Sequence, residues 1–137
     1  TYFEKYPGIL AYMNQVREEA QETGTVSTLL GRALNMSGAQ SKNAIQKQAA
    51  LRAAINAPMQ GTAADIIKLS MLLVDTHCKD FDYQMLIQVH DELVFEVKAS
   101  QVDSFVEEVV RLMENVFTLK VPLVVNASSG NSWEEAH

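Results

Sequence analysis

Between residues 83 and 97 a mostly apolar, β-prone stretch is interrupted by one run of consecutive ionisable residues, His90, Asp91 and Glu92. Met85, Ile87 and Val89 alternate before the break and Leu93, Phe95 and Val97 after it, the period-2 pattern of strands with one buried face. Charge inside a buried sheet costs several kcal/mol unless it is solvated, paired or metal-bound. The break therefore belongs at a solvent-facing turn. The stretch is predicted as a hairpin with a tight polar tip.

The rest of the chain supplies helices to cover one face of such a hairpin. Residues 7–23 place Ile9, Met13, Val16 and Ala20 at helical spacing, with Pro7 in the first turn and Gly24 as a stop. Residues 25–29 and 33–36 read as a strand and a second, poorer strand around Gly31-Arg32, and residues 37–43 as a loop. Alanines favour a helix over 43–55, which Pro58 is expected to end, because proline lacks an N–H donor and disfavours helix in the residue before it. A new helix is predicted to start between Pro58 and Thr62 and run to about Cys78, with Thr62 and Asp65 as a capping box. Its buried stripe is Ala63, Ile66, Ile67, Ser70, Leu73 and Val74. Residues 100–117 form a strongly amphipathic helix through Val102, Phe105, Val106, Val109, Leu112, Met113 and Val116. Residues 119–126 read as a last strand, with Pro122 marking an edge or a strand start. This order predicts an α+β fold, a small antiparallel sheet with a carboxylate-bearing hairpin covered on one face by helices. A chain of 137 residues without repeats or Gly/Ser linkers predicts one domain over 1–137 with no internal linker.

Composition narrows the function classes. Hydrophobic residues make up 47% and charged residues 20%, which excludes fibrous and strongly disordered classes. Eleven basic against 17 acidic side chains give a net charge of −6, the wrong sign for holding nucleic acid by a bulk field, so such a role needs local features or a basic partner. The lone Cys78 rules out an intrachain disulfide and a multi-cysteine metal site and suits a reducing compartment. It sits in a polar stretch with no nucleophile signature, beside a His77 read as surface. No apolar run approaches the ~20 residues a membrane span needs. The chain begins at Thr1 rather than Met, as expected for a piece of a longer protein.

Two groups of residues offer chemistry. Asp91 and Glu92 at a sheet rim point to different sides, an oxygen-only pair suited to magnesium or manganese held jointly with phosphate. Spacing alone favours a solvated polar tip, because such pairs are common at turns. Arg52, Asn56 and Gln60 recur every four residues and would share one face if the helix continued past the proline. Long hydrogen-bonding side chains so placed reach minor-groove acceptors without reading sequence. Spacing by itself favours a solvated helix face with a capping Asn before Pro58. His77 and His90 are too far apart in sequence to argue a metal pair, and Trp133 and the phenylalanines read as core or tail anchors.

The string Ala54-Ile55-Asn56-Ala57-Pro58-Met59-Gln60-Gly61-Thr62-Ala63-Ala64-Asp65-Ile66-Ile67-Lys68, followed by Gln88-Val89-His90-Asp91-Glu92-Leu93-Val94-Phe95, resembles family A DNA polymerases of the bacterial DNA polymerase I type. Similarity extends to residues 2–8, 29–32, 121–123 and 130–137, and so to nearly the whole chain. The matching part is the C-terminal palm with a little of the adjoining fingers connection. The resemblance implies that Asp91 is the palm's second metal-binding aspartate, Glu92 the carboxylate beside it, and His90 a residue near the primer terminus. Arg52, Asn56 and Gln60 match positions that contact the primer-template minor groove. The implied chemistry is templated nucleotidyl transfer with two Mg2+ ions, one activating the primer 3′-hydroxyl and one stabilising the pyrophosphate.

Resemblance also shows what this sequence lacks. The family's other metal-binding aspartate, its nucleotide-gripping fingers helix and its basic thumb have no counterpart here, which accounts for the acidic charge. Ala33, Asn35 and Ser37 stand where the family has a basic residue, an aromatic and a proline, Leu51 replaces an acid, and residues 126–129 are softer than the family's acidic pattern. The expected partners are primer-template DNA, dNTP and an upstream polymerase portion, without a membrane. The isolated chain is expected to be inactive, and the setting bacterial or phage-like cytoplasm, or an organelle. The alternatives are a stand-alone nucleic-acid or protein-binding module that keeps the palm fold and a degenerate remnant without activity; two rim carboxylates favour the enzyme, since a binding module has no chemical need for them.

Overall fold

A computed structural model describes residues 2–136. Helices α1 (Tyr2–Lys5) and α2 (Pro7–Thr23) lead into a hairpin of β1 (Thr25–Ser27) and β2 (Ala33–Asn35), a 3-10 turn at Ser37–Gln40, and a 34-residue helix α3 (Ala44–His77). A second hairpin, β3 (Tyr83–Val89) and β4 (Glu92–Val97), a 3-10 turn at Ala99–Gln101, α4 (Val102–Glu114) and α5 (Trp133–Ala136) follow. The fold is α+β with antiparallel pairing, as expected, but the strands form two separate two-stranded ladders rather than one sheet. The chain divides into two compact units, Thr1–Ala63 and Ala64–His137, with the boundary inside α3.

In the first unit, Val16, Ala20, Val26, Ala39, Leu51 and Ala54 form the core, and the Tyr12 hydroxyl donates to the Ile55 carbonyl at 3.1 Å. Gly24 ends α2 in the left-handed region, φ 69°, where a side chain would be strained and a Cβ would lie 2.8 Å from Gln40 Oε1. Gln40 Nε2 in turn donates to the Gln21 and Glu22 carbonyls, both at 3.2 Å. Asn43 starts α3, its Oδ1 accepting from the N–H groups of Ile45 and Gln46 at 2.9 and 3.2 Å.

Pro58 does not end that helix. It removes one ladder bond and costs about 3 kcal/mol in a helix interior, yet α3 passes straight through it. Burial of Leu51 and Ala54 before the proline and of Ser70 and Val74 after it keeps one helix, since each fully buried Leu or Val contributes about 1.5–3 kcal/mol. Thr62 is therefore no cap with Asp65. It sits mid-helix, its hydroxyl donating to the Pro58 carbonyl at 2.6 Å. Ala63, expected in the buried stripe, is exposed.

In the second unit, Val74 and Cys78 join Phe105, Val109 and Leu112 of α4, and Phe81, Tyr83, Met85, Phe95 and Val97 pack against them. One face of the β3–β4 hairpin is thus covered by helices. Phe105 is the hub, with the rings of Phe81, Tyr83 and Phe95 centred 5.5, 4.8 and 5.2 Å away. Cys78 lies in this core, not in a polar surface stretch, while His77 is exposed. Residues 119–126 form no strand, because a strand needs a ladder partner and none pairs with them among the described residues; the Val125 N–H instead donates to Glu114 Oε1 at 3.0 Å. Trp133 is 49% exposed on a one-turn helix. His137, the end of the matched string, lies outside the described residues. Among those residues no helix is long and apolar enough to cross a membrane.

Candidate functional site

The hairpin tip is shaped by a shift in register. Tyr83 pairs with Val97, Gln84 with Glu96 and Met85 with Phe95, but Ile87 pairs with Val94, Gln88 with Leu93 and Val89 with Glu92. One extra residue in β3, Leu86, is the bulge. Because side chains alternate, a one-residue slip exchanges the two faces. Beyond the bulge Ile87 and Val89 no longer continue the Met85 stripe; they share a face with Val94 and Glu92. Leu86 and Ile87 are accordingly 50% and 47% exposed. The expected single stripe through Met85, Ile87 and Val89 is corrected here, and three consecutive apolar residues, Met85-Leu86-Ile87, were the signal in the sequence.

Pairing of Val89 with Glu92 leaves His90 and Asp91 as the two turn residues. His90 takes a left-handed backbone, φ 51°, and its carbonyl accepts from Gln88 Nε2. Histidine tolerates that region better than most side chains, at a cost of about 1–2 kcal/mol relative to ordinary backbone. His90, Asp91 and Glu92 are all exposed. Asp91 thus stands at the apex and Glu92 at the first position of β4, on the face away from the helical core.

Continuity of α3 settles the condition on the other set. Arg52, Asn56 and Gln60 lie on one unbroken helix and are exposed, so steps of four residues keep them on one face over about 12 Å. The sequence reading passed over what holds the Gln60 turn. Gly61 is buried, and a Cβ there would lie 2.7 Å from Thr28 Cγ2 and 3.0 Å from Leu34 Cδ1. Arg32 Nη2 donates to the Gly61 carbonyl at 3.2 Å, and the Leu29 N–H donates to Thr62 Oγ1 at 3.0 Å.

Beneath the hairpin the titratable groups are shifted. Burial, then the Glu108 carboxylate, pushes the Cys78 thiol up. Burial likewise pushes the Tyr83 phenol up, with Cys78 and Asp75 adding to it, while its hydroxyl donates to the Val74 carbonyl at 3.2 Å. These groups are structural.

Residues 1–135 match the model of DNA polymerase family A. The chain belongs to this family. It is 50% identical over 138 residues to DNA polymerase I of Pseudomonas aeruginosa, covering 99% of this chain and 15% of that protein. DNA polymerase I of Deinococcus radiodurans is 42% identical over 132 residues, covering 96% of this chain and 14% of that protein. Among solved structures, the POL domain of Pol1 from M. smegmatis, in complex with DNA primer-template and dNTP, superposes with a TM-score of 0.93 at 42% identity, covering 98% of this chain and 24% of that one. The chain thus spans about 15% of the length of these curated relatives.

Carboxylate oxygens are the donor class that magnesium takes, and both Asp91 and Glu92 are exposed. Among the described residues no group of three or more His, Cys, Asp or Glu is assembled for a metal. The pair fits part of the ~6-oxygen shell that magnesium takes.

Proposed function

We propose that residues 1–137 are one C-terminal palm portion of a DNA-directed DNA polymerase, acting in templated nucleotidyl transfer with primer-template DNA and dNTP. The observation that carries this reading is the tight turn that leaves His90 and Asp91 exposed at the apex and sets Glu92 opposite Val89. Asp91 and Glu92 would hold magnesium together with oxygens from an upstream portion and from substrate phosphates. When bound, the metal supplies Lewis-acid stabilisation of charge on the phosphoryl oxygens and the attacking hydroxyl.

The chain's own residues do the rest. Asp91 presents a carboxylate from a backbone position set by strand register, so its place does not depend on a mobile loop. His90 lies beside it at the primer terminus. Arg52, Asn56 and Gln60 donate to minor-groove acceptors that every base pair offers, which holds the duplex without selecting a sequence. The −6 charge supports dependence on a basic upstream portion for the bulk of phosphate binding. A cytoplasmic setting belongs to the same reading and is supported by the bacterial relatives.

Primer extension tests the reading. The complete polymerase carrying these residues is expected to extend a primer, and the 137-residue chain alone is expected not to, binding magnesium only in the millimolar range. Templated incorporation by the chain alone would show that the two carboxylates need no upstream partner.

A further inference from the structure

The β1–β2 turn has no part in the chemistry above, yet it is fastened to α3 immediately after Gln60. Within the turn, the Thr28 N–H donates to the Arg32 carbonyl at 3.0 Å, the Arg32 N–H to Thr28 Oγ1 at 3.1 Å, and the Gly31 N–H to the Thr28 carbonyl at 3.0 Å. This closed turn reaches α3 at three points. The Leu29 N–H donates to Thr62 Oγ1, Arg32 Nη2 donates to the Gly61 carbonyl, and Thr28 fills the space that a Cβ on Gly61 would occupy.

Its place on the helix matters because of Pro58. A proline withholds the N–H that would bond the carbonyl four residues back, so the helix direction around it is less determined by its own ladder. Gln60 follows two residues later, and the Thr62 hydroxyl closes the turn that holds it, donating to the Pro58 carbonyl while accepting from the Leu29 N–H of the hairpin. The direction of the Gln60 turn is therefore tied to the hairpin rather than to the helix alone.

We infer that the β1–β2 turn clamps α3 at Gly61 and Thr62 and so aims Gln60 at the duplex in line with Arg52 and Asn56, with Arg32 and Thr62 as positioning residues acting through Gln60. This rests on the DNA-contacting role proposed above for that face. A misplacement of about 1 Å in a positioning group can cost on the order of 10²-fold in rate, so a loosened clamp reads out in function before the fold is lost.

A double-mutant cycle in the complete polymerase tests the clamp, with single-turnover extension, primer-template affinity and thermal midpoint measured on each variant. Thr62→Val and Arg32→Met are each expected to slow extension about tenfold, Thr62→Ser to stay within about twofold because it keeps the hydroxyl, and Gln60→Ala to slow extension by itself. In the Gln60→Ala background, adding Thr62→Val or Arg32→Met should cost less than about twofold more, the non-additivity of residues acting through one another. Multiplying losses in the double variants would overturn the clamp while leaving the DNA-contacting face intact. An inert Gln60→Ala would overturn both. If Thr62→Val does not fold, the Arg32→Met arm carries the cycle on its own.

Discussion

Arg52, Asn56 and Gln60 stand on a helix whose opposite side is buried, so their spacing is set by the helical repeat and their direction by packing. His90, Asp91 and Glu92 stand on the exposed end of a hairpin, where two turn residues and a strained φ decide where each side chain points. The first arrangement suits contacts spread along a duplex, each of modest weight. The second suits a few charges concentrated at one point, as phosphoryl chemistry needs. A helix can lose one contact and keep the rest aligned; an apex that loses its carboxylate has nothing in reserve.

That contrast makes Asp91→Asn the most damaging change. Extension by the complete polymerase should fall about 10³-fold, at the upper end of what removing one preorganised electrostatic group costs, with stability changed by less than about 0.5 kcal/mol because the side chain is exposed. Near-normal single-turnover extension with magnesium would break the comparison at its most important residue. Gln60→Ala should act more weakly, slowing extension about tenfold, or ~1.4 kcal/mol, and raising the primer-template Kd without lowering the melting temperature. A drop of several degrees with extension unaffected would move Gln60 from DNA contact to structure.

Smaller effects sharpen the same contrast. His90→Gly removes the left-handed cost at the turn and should stabilise the hairpin by about 1 kcal/mol, seen as slower amide exchange along Glu92–Val97, while extension falls. Unchanged exchange would mean that the turn is not strained. The smallest effect is alkaline. Cys78 and Tyr83 under the hairpin and Tyr12 under the helix all have raised pKa values, chiefly through burial. Each is held neutral in the folded protein, so stability is intact below the unfolded thiol's ordinary value of about 8.5 and declines above it as the unfolded chain loses its protons first. Cys78→Ala should flatten the first part of that decline in denaturant titrations run across pH. An unaltered slope would exclude the thiol as its source.

Much of this was legible in the residues. The α2 helix with its glycine stop, the β3–β4 hairpin with its polar tip, and the amphipathic α4 follow from periodicity and turn chemistry, which are local. Polymerase strings around Gln60 and Asp91 were legible as resemblance, not as spacing. The expected strand at 119–126 failed because strand formation depends on a distant partner, and apolar composition cannot report whether one is present.

By itself the sequence determined where charge interrupts apolar pattern and hence which side chains stand at an apex, because desolvation forbids the alternative. Tertiary structure alone decided the rest: that α3 survives Pro58, that Leu86 is spent as a bulge which turns Ile87 and Val89 off the Met85 face, and that Thr62 bonds to a hairpin 33 residues earlier in the chain. Each of these sets a local preference worth a few kcal/mol against burial or hydrogen bonding supplied by residues remote in sequence, and only the folded chain brings the two sides of that balance together.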